Sequence, residues 1–174
     1  MTNLPSVDVA AHLDSLRRYA RALTRDEAAA DDLVQEALLR ALERAGTYRP
    51  GGSLRAWLAG IVHNRFVSGR RRQAAEARRD QTFADFRDTS VEGDQEHAAQ
   101  LALVAARFDA LPAPQRAALH LVAVEGLSYQ EAATALDVPI GTIMSRLSRA
   151  RAALRAGEAR VPTLRMVRGD RDDR

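Results

Sequence analysis

Thr142, Ser145, Arg146, Ser148, Arg149 and Arg151 fall on the side of a helical repeat opposite Ile143, Leu147, Ala150 and Leu154, so cations and hydroxyls share one polar face. An arginine so placed bonds guanine edges or phosphate oxygens, and serine and threonine bond either, which is the chemistry of a DNA major-groove reader. A merely solvated helix mixes its signs, yet here Arg146, Arg149, Arg151, Arg155 and Arg160 stand against Glu158 alone. A second basic patch lies far upstream, where Arg55, Arg65, Arg70, Arg71, Arg72, Arg78 and Arg79 are opposed by Glu76. Three arginines in a row exceed what a helix dipole needs at its C-terminus. Catalysis leaves no comparable signal. The sequence has no Gly-rich phosphate loop, no metal-spaced cluster and no nucleophile with a nearby histidine, so neither an enzyme nor a cofactor is expected.

The first face needs a helix pair to hold it. Ser128 and Glu131 have the spacing of a capping box and open a helix in which Tyr129, Ala132, Ala133 and Leu136 share the apolar side. Asp137 tolerates a left-handed turn, Val138 plugs the core, and Pro139 sits where its missing amide costs the second helix nothing. Upstream, Leu101, Leu103, Val104 and Phe108 predict a helix broken at Leu111 and Pro112. Pro114 restarts another, with Leu119, Val122 and Val124 inward up to a stop at Gly126.

The second patch belongs to a separate set of helices. Leu13, Leu16, Tyr19, Ala20 and Leu23 predict a first amphipathic helix from about Val9. Thr24 and Glu27 have capping-box spacing and predict a long second helix ending at Gly46, with Leu33, Val34, Ala37, Leu38, Ala41 and Leu42 as its buried stripe. Asp32, Gln35, Glu36, Leu39 and Arg40 lie away from that stripe, and the apolar Leu39 within a polar face is a mild sign of a partner surface, although single exposed leucines are common. Pro50, Gly51 and Gly52 make Tyr48 to Ser53 a loop, which also carries Arg49. Ser53 caps a third helix whose inner face is Leu54, Trp57, Leu58, Ile61, Val62 and Phe66, leaving Arg55, His63, Asn64 and Arg65 outside.

Between the two sets, from Asp80 to Gln100, the sign turns acidic and the apolar periodicity fades. The fold class expected is therefore all-α, with two small helical domains over 8–75 and 103–160 joined by a flexible acidic linker over 76–102. The tail over 161–174 has nothing to bury. The chain has 174 residues, no cysteine and a net charge of +3, and every basic residue is arginine. Absence of cysteine rules out disulfides and thiolate metal sites, and His12, His63, His97 and His120 are too scattered for a metal cage. No apolar run approaches a membrane span and no signal pattern opens the chain, so a soluble cytoplasmic protein without membrane insertion is expected.

The segments DDLVQEALLRAL, GGSLRAWLAGIVHNRF and LPAPQRAALHLVAVEGLSYQEAATALDVPIGTIMSRLSRARAAL, in that order around a charged linker, resemble the bacterial sigma-70 family. More narrowly they resemble its extracytoplasmic-function (ECF) group, whose members keep only the second and fourth sigma regions. The resemblance spans roughly Leu13 to Arg155. It implies that Asp32, Gln35, Glu36, Leu39 and Arg40 meet core RNA polymerase. It implies that the loop of Tyr48, Arg49, Gly51, Gly52 and Ser53 captures a flipped base of the minus-ten element. Arg55, His63, Asn64 and Arg65 would then meet the upstream edge of that element, while Thr142, Ser145, Arg146 and Arg149 read the minus-thirty-five element. Promoter DNA, core polymerase and an anti-sigma factor are the partners so implied.

Two other readings compete. A sigma-like mimic would sequester an anti-sigma factor without binding DNA, but it has no need of two phosphate-neutralising patches. A one-component regulator would bring a ligand or dimerisation domain, for which the chain has no room.

Overall fold

The computed structural model describes residues 9–80 and 97–156, with side chains described over 9–76 and 101–156. The centre of the linker, with Phe83 and Phe86, and the tail beyond Ala156, with Glu158 and Arg160, lie outside the described residues, as do the side chains of Arg78 and Arg79. Among the described residues all regular structure is helical. The helices are α1 (Leu13–Thr24), α2 (Glu27–Glu43), α3 (Leu54–Asp80), α4 (His97–Asp109), α5 (Ala113–Leu119), α6 (Tyr129–Leu136) and α7 (Ile140–Ala156).

Local chemistry accounts for most boundaries. The Ser128 box forms with both of its bonds, Glu131 N–H to Ser128 Oγ at 3.2 Å and Ser128 N–H to Glu131 Oε2 at 2.8 Å. Those bonds hold the Glu131 carboxyl below the ordinary range, the Ser128 hydroxyl contributing most. Asp137 ends α6 in the left-handed region at φ 50°, and Gly126 stops the preceding turn at φ 69°. Ser53 Oγ accepts from Ala56 N–H and so caps α3.

Four expectations need correction. Thr24 and Glu27 form no box: Arg25 turns left-handed at φ 59° and ends α1, so Asp26 becomes the cap and accepts from Ala29 N–H at 2.7 Å. Thr24 Oγ1 instead donates back to Ala20 O, and Glu27 pairs with Arg21. α2 stops at Glu43, short of Gly46, and Leu42 is 66% exposed rather than buried, because α1 and α3 cover only Ala30, Leu33, Val34, Ala37 and Ala41. Val124 is 54% exposed rather than inward. The helix after α5 widens into a π turn over His120–Val124, and the added residue per turn shifts the phase, putting Glu125 inside and Val124 outside.

The buried side chains of both helix sets form one continuous core. α1 rests on α2, α3 and α5, and α3 crosses α6. The crossing is close because Gly60 has no side chain; a Cβ there would lie 3.2 Å from the Ala135 carbonyl oxygen.

Candidate nucleic-acid and polymerase interfaces

The loop ahead of α3 is built by its own backbone. Gly51 takes φ 89°, Gly52 N–H closes on Arg49 O at 3.0 Å, and Tyr48 Oη donates to Gly52 O at 2.9 Å. Trp57 supports it from below, with its ring 5.6 Å from that of Tyr48 and its Nε1 3.3 Å from Thr47 Oγ1. Half-buried Trp57 thus serves the loop as well as the core. Beside this loop is a cleft of about 580 Å³, lined by Arg44, Tyr48, Arg49, Trp57 and Asn64 on one side and by Gln130, Glu131 and Thr134 of α6 on the other. A cleft that offers two aromatic rings beside the guanidinium groups of Arg44 and Arg49 suits a nucleobase.

The four candidates on α3 do not share an open surface. Asn64 faces the cleft. Arg65 pairs with Glu36 of α2, which links two of the expected sites. Arg55 donates to the Glu125 backbone carbonyl. His63 is half-buried, with Nδ1 3.1 Å from Tyr19 Oη.

Burial, and after it the Arg146 guanidinium, lowers the His63 pKa to about 4, and burial raises that of Tyr19. Any state that returns the His63 ring to water restores an ordinary pKa of about 6.5 and binds more protons between the two values. The contribution of this contact is therefore whole above pH 6.5 and is lost as pH falls toward 4. His63→Gln, which does not titrate, is expected to flatten the fall in urea midpoint between pH 7 and pH 4.5. An unchanged slope would assign the loss to other groups, His120 among them.

On α7, Ser145 and Arg149 are exposed, whereas Thr142 and Arg146 are half-buried, and Arg146 acts electrostatically on Tyr19 and His63 of the other helix set. Ser145 Oγ donates to Thr142 O at 2.9 Å. On α2, Asp32, Gln35, Glu36, Leu39 and Arg40 are all exposed, and Leu39 at 64% is joined by Leu42 in a wider apolar patch. Arg40 holds Glu43 at 2.7 Å.

Three buried polar side chains escaped sequence reasoning: Arg116, His120 and Glu125. The Glu125 carboxylate accepts from Ser15 Oγ and lies 3.4 Å from Arg18 Nη2 and 3.2 Å from His120 Nε2. Burial lowers the His120 pKa against the opposing pull of Glu125. Arg116 donates to Leu111 O at 2.7 Å and Asp109 O at 2.8 Å within its own unit, and to Ala22 O and Leu23 O at the end of α1. These groups bind the two units along one seam. For His120 and Glu125 the sequence signal is a lone histidine and a lone acid in the apolar run from His120 to Gly126, and Arg116 has none.

Among the described residues no helix is long and apolar enough to cross a membrane, and no group of three metal-ligating side chains occurs.

Residues 9–76 match the family model described as Sigma-70 region 2, and residues 101–154 match that described as Sigma-70, region 4. The chain is 41% identical over 152 residues to the ECF RNA polymerase sigma factor EcfG of Rhodopseudomonas palustris, covering 86% of this chain and 82% of the relative. It is 35% identical over 144 residues to SigM of Mycobacterium tuberculosis, covering 82% of this chain and 71% of that one. Among solved structures, the sigma factor RpoE of Bartonella quintana in complex with the anti-sigma factor NepR superposes with a TM-score of 0.76 at 31% identity, covering 89% of this chain and 96% of the other. CnrH in complex with the cytosolic domain of CnrY superposes with a TM-score of 0.62 at 28% identity, covering 88% and 86%.

Proposed function

Because the chain belongs to the ECF group of the sigma-70 family, we propose that its exposed faces divide the work of promoter recognition between two domains. The protein is a transcription initiation factor that binds core RNA polymerase and directs it to specific promoters under anti-sigma control. It has no catalysis of its own and acts in the cytoplasm. Residues 8–75 form the domain that grips polymerase and the minus-ten element, residues 103–160 the domain that reads the minus-thirty-five element, with 76–102 the linker between them and 161–174 the tail.

Asp32, Gln35, Glu36, Leu39 and Arg40 meet polymerase. Tyr48, Arg49, Gly51, Gly52 and Ser53 take a flipped base, Arg55, His63, Asn64 and Arg65 meet its upstream edge, and Thr142, Ser145, Arg146 and Arg149 read the upstream element. The observation that carries this reading is the pairing of two unlike exposed faces: acidic and apolar on α2, cationic and hydroxyl-bearing with no acid on α7. A mimic that only captures an anti-sigma factor has no use for the second. Transcription from a randomised promoter library by core polymerase, with and without the protein, tests it: enrichment of two spaced elements is expected, and no enrichment overturns it.

Leu39→Asp is expected to weaken core polymerase binding about thirtyfold, the effect of about 2 kcal/mol for a charge carried into an apolar contact. Helicity by circular dichroism should be unchanged, because Leu39 is exposed. Equal capture of polymerase in a titrated pull-down would remove α2 from the interface.

A further inference from the structure

α7 exposes two large apolar side chains that the promoter reading leaves without a task. Ile140 is 44% and Met144 54% exposed, and neither packs against the core that holds Ile143, Leu147 and Ala150. They are one turn apart on the same flank of the helix, in its N-terminal half. Further along that flank come Ser148, Arg151 and Arg155, all exposed. The stripe is therefore apolar at the end that enters a groove and cationic toward the other. Gly141 leaves the edge beside Ile140 open, with no heavy atom within 4 Å of where a Cβ would stand.

The dimensions fit duplex DNA. At about 1.5 Å per residue, Arg151 stands roughly 16 Å along the axis from Ile140, more than the roughly 12 Å width of the major groove. With Ile140 and Met144 against base edges, Arg151 and Arg155 reach the phosphates at the rim. The apolar feature a major groove offers is the thymine 5-methyl group. An acidic protein surface would suit the arginines equally, but α7 contains no acid at all from Ile140 to Ala156, so its whole outer surface matches a polyanion rather than a mixed-charge partner.

We propose that Ile140 and Met144 are specificity-determining residues that read thymine methyl groups in the upstream promoter element. This rests on the assignment of α7 as the minus-thirty-five reader. Arginine and hydroxyl contacts choose among hydrogen-bonding edges, while the apolar pair distinguishes thymine from cytosine by shape and desolvation.

Uracil is thymine without that methyl group and isolates it. The upstream element enriched by wild-type protein and core polymerase from a randomised library is resynthesised with each thymine, on either strand, replaced singly by uracil. Holoenzyme affinity is then measured for wild-type, Met144→Ala and Ile140→Ala proteins. Loss of about fourfold is expected at one or two positions for the wild type, the size of one buried methyl group. Each variant should lose that sensitivity at one of those positions while keeping helicity and polymerase binding. Wild-type indifference to uracil everywhere, or unchanged uracil sensitivity in both variants, overturns the inference with the promoter reading intact. No enriched upstream element overturns both. Variants that keep full uracil discrimination yet lose a protein partner assign the pair to that partner instead.

Discussion

The free protein is expected to leave intact promoter duplex unbound in an electrophoretic shift, under conditions where its complex with core polymerase binds tightly. The outer face of α7 stays open, but much of the surface proposed to meet the minus-ten element lies against the seam. α6 walls the cleft beside the loop of Tyr48 to Ser53, His63 lies against Tyr19 with Arg146 nearby, and Arg55 is spent on the Glu125 carbonyl. Engaging both elements at once then requires the two units to separate first. If the separated state is populated at about 1%, apparent affinity falls roughly a hundredfold below the intrinsic one. A polymerase complex in which the units are held apart would remove that penalty.

Gly60 supplies the control. A leucine at Gly60 drives its Cβ toward the Ala135 carbonyl, 3.2 Å away, so Gly60→Leu should loosen the α3–α6 crossing. A larger radius of gyration in X-ray scattering and tighter binding to pre-melted promoter are expected. Tight, sequence-specific binding of intact duplex by the isolated wild type would refute the closed arrangement as a barrier. Failure to bind even with core polymerase would favour the mimic.

Arg116→Ala is expected to lower the free energy of unfolding by about 3 kcal/mol, among the larger effects a single substitution produces. Arg116 is 3% exposed and its guanidinium is bonded to four backbone carbonyls, those of Ala22, Leu23, Asp109 and Leu111. Removing it takes the donor from the buried Ala22, Leu23 and Leu111 carbonyls, while the Asp109 carbonyl keeps Arg25, and each buried loss is costly in the low-dielectric interior. Burial lowers the Arg116 pKa, yet a guanidinium stays charged at any pH the fold survives, so the effect should be independent of pH between 5 and 9. Arg116→Lys should not restore stability, since one ammonium has three donors and no planar fork. Urea midpoints of the two variants against Arg149→Ala, which touches an exposed residue and should stay within about 0.5 kcal/mol of wild type, provide the check. Full stability in Arg116→Ala would mean that the seam contributes little.

What the chain's sequence determined by itself is what three or four consecutive residues can determine. The Ser128–Glu131 box, the left-handed Asp137, the Ser53 cap and the stop at Gly126 each close a hydrogen bond or satisfy a dihedral within one turn, and all four stand as read. The outer faces of α2 and α7 were legible for a related reason, since helical period alone puts Leu39 and Arg149 away from the apolar stripe. Even so, local spacing misled where two local solutions compete: Asp26 displaced Thr24 as a cap once Arg25 had turned left-handed.

Only the tertiary structure decided which surfaces meet. Glu125 finds Ser15 at a separation of 110 residues and Arg116 finds Ala22 at 94, and no periodicity encodes such a pairing. Nor did it forecast that a π turn would exchange Val124 for Glu125 on the inner face, or that Leu42 would lack a neighbour to cover it. Helical pattern sets which side of each element avoids water, because hydrophobic burial has no direction of its own. Which helix supplies the cover depends on shape and buried hydrogen bonds across the seam, and these exist only once both units are in place.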